Sequence, residues 1–383
     1  MLAAGLVYLF VTGILLEGLA SLADKAFSVR DTITEEGVVQ PATSLRSGGS
    51  DSLVAWDTLG RQGRNFAGSG PSASTIQNLV QLPSKEPIRA YAGLASSDDT
   101  ESRAGLAVDD LERAGGFERT NLLVVTTTGS GWVDPALVDS FEYLSAGDSA
   151  TVAIQYSYLP SWISYLVDQT KAREAGRALF DAVYERWLAL PHDRRPKLFV
   201  AGESLGSFGG ETAFSGEYDL RNRTAGTLFV GPPNFNTLFR DFSEHRDSGS
   251  PEIEPVYKDG RTVRFSGGDV GRVSAQDPPW EGNRVLYLMH PSDPIVWWSP
   301  DLVLNRPDWI SEPPGHDVLN TVWVPFLTFW QITADLPFST GVPGGHGHKY
   351  TTEQVDGWYA VIQPAGVTQE ELGAVRATIA EQE

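Results

Sequence analysis

Ser204 stands in the pentapeptide Gly202-Glu203-Ser204-Leu205-Gly206, directly after the apolar run Pro196–Ala201. Small residues on either side of a serine, placed between a buried strand and a helix, allow a turn so tight that the serine takes strained dihedrals and lifts its Oγ clear of the sheet. Such a serine is a nucleophile in waiting. The N–H of the next residue, Leu205, points to where an oxyanion would form on an attacked carbonyl. Five-residue patterns of this kind recur by chance, so the case rests on what else the chain places nearby.

A serine hydroxyl needs a base, and the base needs an acid to fix its tautomer. Asp293 follows the apolar run Arg284–Met289 and precedes Pro294, so it suits both that acid and a helix N-cap. His290, at the end of the same run, reads as packing. Near the C-terminus, Gly344-Gly345-His346-Gly347-His348-Lys349-Tyr350 offers two histidines on a glycine loop. His348 is the expected base, because a helix predicted over Thr351–Val361 would anchor it, and His346 is the alternative. The order serine, aspartate, histidine along the chain is one of the orders in which such triads occur. The loop after Asn121–Thr127 supplies Thr128 and Gly129 as candidates for the second oxyanion N–H. The chemistry predicted is acyl transfer through an acyl-enzyme. It calls for no cofactor. His346 and His348 lack the further ligands of a metal site, so none is expected.

These residues need a scaffold. Apolar runs at Pro87–Gly93, Asn121–Thr127, Thr151–Tyr156, Pro196–Ala201, Thr227–Val230 and Arg284–Met289 read as strands. Helical spacing falls between them at Asp98–Ala114 and Ser161–Leu190. Alternation of this kind predicts an α/β fold, a mostly parallel sheet with helices on both faces and the chemistry at the carboxyl ends of the strands. The catalytic domain is expected over 87–366, with cap insertions at about 232–283, including a hairpin-like stretch Val256–Phe265, and at about 295–345. Residues 367–383 would form a C-terminal helix or tail. Residues 24–86, rich in Gly, Ser, Thr and Pro, read as a linker and irregular lead-in, with Arg61 and Arg64 on its surface.

Five of the eleven tryptophans fall within 295–345. Indoles favour bilayer interfaces and apolar acyl chains alike, so Trp297 and Trp298 are expected to line the substrate pocket. Met1–Ala23 carries Glu17 as its only charged side chain and is long enough for a bilayer crossing, which takes ~20 residues; a transmembrane helix is expected there. The 29 basic and 49 acidic residues leave a net charge of −20, which repels a nucleic-acid backbone. The absence of cysteine excludes disulfides and thiol chemistry. The expected partners are therefore a small-molecule or lipid ester and a membrane.

The runs RSGGS, SLVAWDTLGRQGRNF, TTTGSGWVDP, QYSYLPSW, RRPKLFVAGESLGSFGGE, VGPPNFN and GGHGHKY together resemble one bacterial α/β-hydrolase family, often actinobacterial. Its members carry a multi-helix N-terminal membrane domain. The likeness spans about residues 46–360. It implies an α/β-hydrolase fold, with Ser204, Asp293 and a histidine of the GHGHKY loop as the triad, and Met1–Ala23 as the last helix of a shortened membrane domain. The family's substrate stays open. The expected activity is a membrane-associated serine hydrolase acting on a carboxylic, lipid-like ester; the alternatives are an acyltransferase on the same triad and a non-catalytic membrane-tethered scaffold.

Overall fold

A computed structural model describes residues 27–167, 169–276, 278–318 and 321–382. The expected transmembrane helix Met1–Ala23 lies outside the described residues. Among the described residues, no helix is long and apolar enough to cross a membrane.

Seven strands build one sheet: β1 Ile88–Ala92, β2 Asn121–Thr126, β3 Ser149–Ile154, β4 Lys197–Glu203, β5 Gly226–Val230, β6 Val263–Ser266 and β7 Arg284–Leu288. Their spatial order is β1-β3-β2-β4-β5-β7-β6, and every neighbouring pair is parallel. β2, β3 and β5 are buried at every residue, as a sheet covered on both faces requires. The covering helices include Thr100–Arg113 and Gln169–Ala189 on one side of the chain's course, and Pro135–Leu144 and Thr352–Ile362 packed against each other. The stretch 161–190, read as helical, carries helix over Ser161–Val167 and Gln169–Ala189. Residues 367–383 contribute the helix Gln369–Ala380, which opens with a capping box between Thr368 and Glu371.

Two expectations fail. The described part of the expected linker, residues 27–86, packs against the sheet. Ser47 N donates to Arg89 O at 3.0 Å and Arg89 N to Leu45 O at 3.1 Å, so this segment pairs with the exposed edge of β1. The helix Gly60–Gly68 then packs on β1 and buries Arg64, whose guanidinium donates to Asp31 O at 2.8 Å. Arg89 beneath it is fully enclosed. It survives burial because Glu142 (2.8 and 2.7 Å), Asp139 (2.5 Å) and the Phe66 carbonyl (3.1 Å) take its N–H groups. The second failure concerns 232–283. Its Val256–Phe265 stretch is no hairpin. Val263–Ser266 adds a parallel edge strand beside β7, so that part of the insertion widens the sheet instead of capping it.

Candidate active site

The register of the central strands aligns the site. Glu203 at the end of β4 lies opposite Val230 of β5, and Val230 opposite Leu288 of β7. Two further bonds carry the alignment one residue beyond the strands: Ser204 N donates to Val230 O at 2.9 Å and Gly231 N to Leu288 O at 2.8 Å. The residues following β4, β5 and β7 therefore emerge side by side.

Ser204 sits between β4 and the helix Leu205–Glu211 with φ 54° and ψ −125°. A non-glycine residue holds such angles only when its surroundings impose them. Here the imposition is visible. A Cβ on Gly206 would stand 2.2 Å from Thr126 O, so the helix can approach β2 this closely only with glycine at that position. Ser207 N (2.9 Å) and Phe208 N (3.2 Å) donate to Ser204 O and start the helix. As the first residue of that helix, Leu205 has an N–H with no intrahelical acceptor.

Asp293 is completely buried and acts at both ends of its carboxyl group. Oδ1 accepts the Ile295 N–H at 2.8 Å and so caps the short helix Pro294–Trp297. Oδ2 accepts from His348 Nδ1 at 2.6 Å and from the Tyr350 hydroxyl at 2.8 Å. A proton on Nδ1 leaves Nε2 as the basic nitrogen. His348 reaches this place because Gly347 turns the loop at φ 53° and His348 N donates to Ser339 O at 2.8 Å. Gly231, at φ 52°, leaves the imidazole its room: a Cβ there would fall 2.5 Å from His348 Cε1. Ser204 and His348 line one cavity of about 570 Å³.

His346, two residues earlier, is directed elsewhere. It is half exposed, and its Nδ1 lies 3.5 Å from Asp317. The alternative base is thus outside the cavity that holds Ser204. His290 is a packing residue: it stacks on Tyr350 with ring centroids 4.1 Å apart, and its Nδ1 donates to Gly347 O at 2.9 Å. Burial alone would lower its pKa, but Glu353, 3.4 Å from Nε2, and the Gly347 carbonyl raise it.

The loop after β2 corrects one candidate. Thr128 donates its N–H to Trp132 O at 3.0 Å, and Gly131 N returns to Thr128 O at 2.9 Å. Thr128 therefore has no free N–H for an oxyanion, although its side chain borders the cavity. Gly129 remains as the candidate. The tryptophans are corrected as well. Trp297 is buried, donates to His290 O at 3.0 Å and packs on Trp309. Trp298 donates to Thr333 Oγ1 at 2.8 Å and meets Tyr165 edge-on. Neither borders the Ser204 cavity, where Trp132, Pro135, Pro160 and Ile379 supply apolar wall.

Three polar residues of the site escaped the sequence reading. Tyr350 donates to Asp293 while its oxygen accepts His290 N–H at 3.0 Å. Asp134 and Glu203 both line the cavity and hydrogen-bond each other, and burial, first, then their mutual charge raises the pKa of Glu203 far above the carboxylate range. Glu203 lay within the pentapeptide itself, and Asp134-Pro135 carries a helix-start signal.

No curated protein and no solved structure matches the chain. The model of an alpha/beta-hydrolase family N-terminus matches residues 1–71. The model of the alpha/beta-hydrolase family itself matches residues 88–375, which takes in every strand of the sheet, Ser204, Asp293 and His348. The chain belongs to the alpha/beta-hydrolase family, whose function is of the hydrolase type.

Proposed function

We propose that the protein is a serine hydrolase that cleaves a lipid-like carboxylic ester at a membrane surface, with Ser204 as nucleophile, His348 as base and Asp293 as its orienting acid. The observation that carries this reading is the 2.6 Å bond from His348 Nδ1 to buried Asp293, in a cavity shared with a serine held at φ 54°. His348 Nε2 takes the Ser204 proton as Oγ attacks the acyl carbonyl. The N–H groups of Leu205 and Gly129 are the candidate donors to the oxyanion. The imidazolium, stabilised by Asp293, protonates the departing alcohol and leaves an acyl-Ser204 ester. Water then attacks that ester with His348 again as base, and Ser204 recovers its proton.

Two features support a lipid-like substrate. Val322, Val324, Phe326, Leu327, Trp330 and Phe338 are all exposed, and Thr340, two residues past Phe338, lines the cavity. Exposed apolar side chains on the segment that leads into Thr340 suit an interface with lipid. The apolar Met1–Ala23 points the same way. The test is turnover of p-nitrophenyl esters of graded acyl length, with product analysis in the presence of an added alcohol. The expected result is kcat/KM rising with chain length and free acid as the main product. A fall with chain length contradicts the lipid-like substrate, and a predominance of transfer to the alcohol contradicts a hydrolase.

A further inference from the structure

Glu203 and Asp134 form a second acidic centre beside the proposed triad. Asp134 closes the loop before the helix Pro135–Leu144 and caps it, with Oδ1 accepting Ala136 N–H at 3.0 Å. Its Oδ2 accepts from the Gln354 side chain, which also donates to Tyr350 O at 3.0 Å. Both Asp134 oxygens are thus occupied by donors, the pattern of an ionised carboxylate. Glu203 is the reverse case. It is 7% exposed, its Oε2 is buried with no donor, and its Oε1 lies 4.0 Å from His348 Nε2. Two carboxyl groups in hydrogen-bond contact cannot both be ionised; one must hold the proton they share. Asp134 is the better acceptor, so the proton resides on Glu203.

That assignment matters because of which nitrogen Glu203 faces. Nε2 is the atom that must accept the Ser204 proton. A neutral Glu203 presents no charge to it. An ionised Glu203 would draw a proton onto Nε2 as an ion pair at 4.0 Å and occupy the base. We propose that the Asp134–Glu203 pair holds one proton in order to keep Glu203 neutral, and that this makes Glu203 a positioning residue which leaves His348 Nε2 to Ser204. The charged and titratable groups that face Glu203 are Asp134 before the helix Pro135–Leu144, Asp293 after β7, and His348 and Tyr350 on the glycine loop. Both acids among these neighbours oppose ionisation of Glu203, in the same direction as its burial.

The proposal rests on the serine-hydrolase reading, and its test separates the two. The full chain is labelled with a fluorophosphonate, and the rate of Ser204 modification is followed against pH. The midpoint of the acid limb, where Nε2 becomes free, should fall at the same pH in wild type and in Glu203→Gln, a permanently neutral isostere whose plateau rate should stay within about threefold of wild type. Asp134→Asn removes the anion that keeps the proton on Glu203, so the imidazolium gains a carboxylate partner and the midpoint should move to higher pH. Urea unfolding of each variant identifies any that has simply lost its fold. A midpoint lowered by about one pH unit or more in folded Glu203→Gln overturns the proposal, since wild-type Glu203 would then be ionised. So does a folded Glu203→Gln labelled more than about a hundredfold more slowly, since the carboxylate would then be required. Absence of labelling in wild type at every pH refutes the hydrolase reading, and this proposal with it.

Discussion

Removing one oxygen from Tyr350 tests how the acid and base are held. In Tyr350→Phe the ring can still stack on His290, and the space is nearly unchanged. The hydroxyl, however, makes two buried bonds. It accepts His290 N–H at 3.0 Å and donates to Asp293 Oδ2 at 2.8 Å. Loss of the first leaves a buried N–H without an acceptor, a cost of about 1–3 kcal/mol. Loss of the second takes a donor from a buried carboxylate, where a bond is worth about 1.5–3 kcal/mol. Asp293 keeps two other donors, Ile295 N and His348 Nδ1, so the second cost falls toward its lower end. One hydroxyl carries both bonds, so the two terms are not independent, and the expected loss of stability is about 2–4 kcal/mol. The His348–Asp293 bond survives, so labelling of Ser204 should slow by less than about tenfold, or 1.4 kcal/mol. Urea unfolding of both proteins measures the first quantity, and labelling kinetics the second. A stability loss below about 0.5 kcal/mol would show that the hydroxyl does not satisfy these groups. A labelling loss of several hundredfold would show that the imidazole depends on it.

Further outcomes follow from the same geometry. Asp293→Asn leaves the shape but offers the wrong partner for Nδ1–H, and Ser204 labelling should fall by about 10⁴, the scale found when a triad acid is replaced by its amide. Gly206→Ala forces a Cβ to 2.2 Å from the Thr126 carbonyl, backbone against backbone; unfolding should show a loss of at least about 1–3 kcal/mol. The His290–Glu353 pair sets a pH dependence of stability. Burial alone would raise the Glu353 pKa, but the His290 bond and the neighbouring N–H groups lower it below its ordinary 4.5, so its contribution is present above that value and lost as pH falls through the lowered one. For His290 the pKa is raised above 6.5, so its contribution is present below 6.5 and lost as pH rises through the raised value. Both act together between 4.5 and 6.5, and Glu353→Gln should flatten the stability maximum in that window, as urea unfolding across pH would show.

The strands β2, β4, β5 and β7 were legible because burial on both faces demands an unbroken apolar run. β6 was not, and Arg264 explains why. A charged residue inside Val263–Ser266 reads as polar surface. In the fold its guanidinium is buried and is met by carbonyls: Gly260 O at 2.6 Å, Val273 O at 2.5 Å and Pro278 O at 2.6 Å. Arg64, expected on the surface, misled for the same reason: its acceptor, the Asp31 carbonyl, lies 33 residues away in the chain, and spacing cannot reveal it. At the site, Ser204 and Asp293 were marked by their positions just past strands. The choice between His346 and His348 turned on a local event, the left-handed turn at Gly347, which sends neighbouring histidines to different carboxylates, Asp317 and Asp293. Trp297 and Trp298 show a further limit: an indole suits a core as well as a pocket, and Trp297 went into the core while Trp298, partly buried, packs against it. Tyr350 and Gln354 had no signal at all, because each matters only through a partner far away in sequence.

Ser204 is the residue on which all of the proposed chemistry depends. A fluorophosphonate probe applied to the full chain, followed by mapping of the modified peptide, addresses it most directly. The expected result is one modified residue, Ser204. Labelling should be absent in Ser204→Ala, almost lost in His348→Ala, and intact in His346→Ala. An unlabelled wild type, equal labelling of Ser204→Ala, or a dependence on His346 in place of His348 would contradict it.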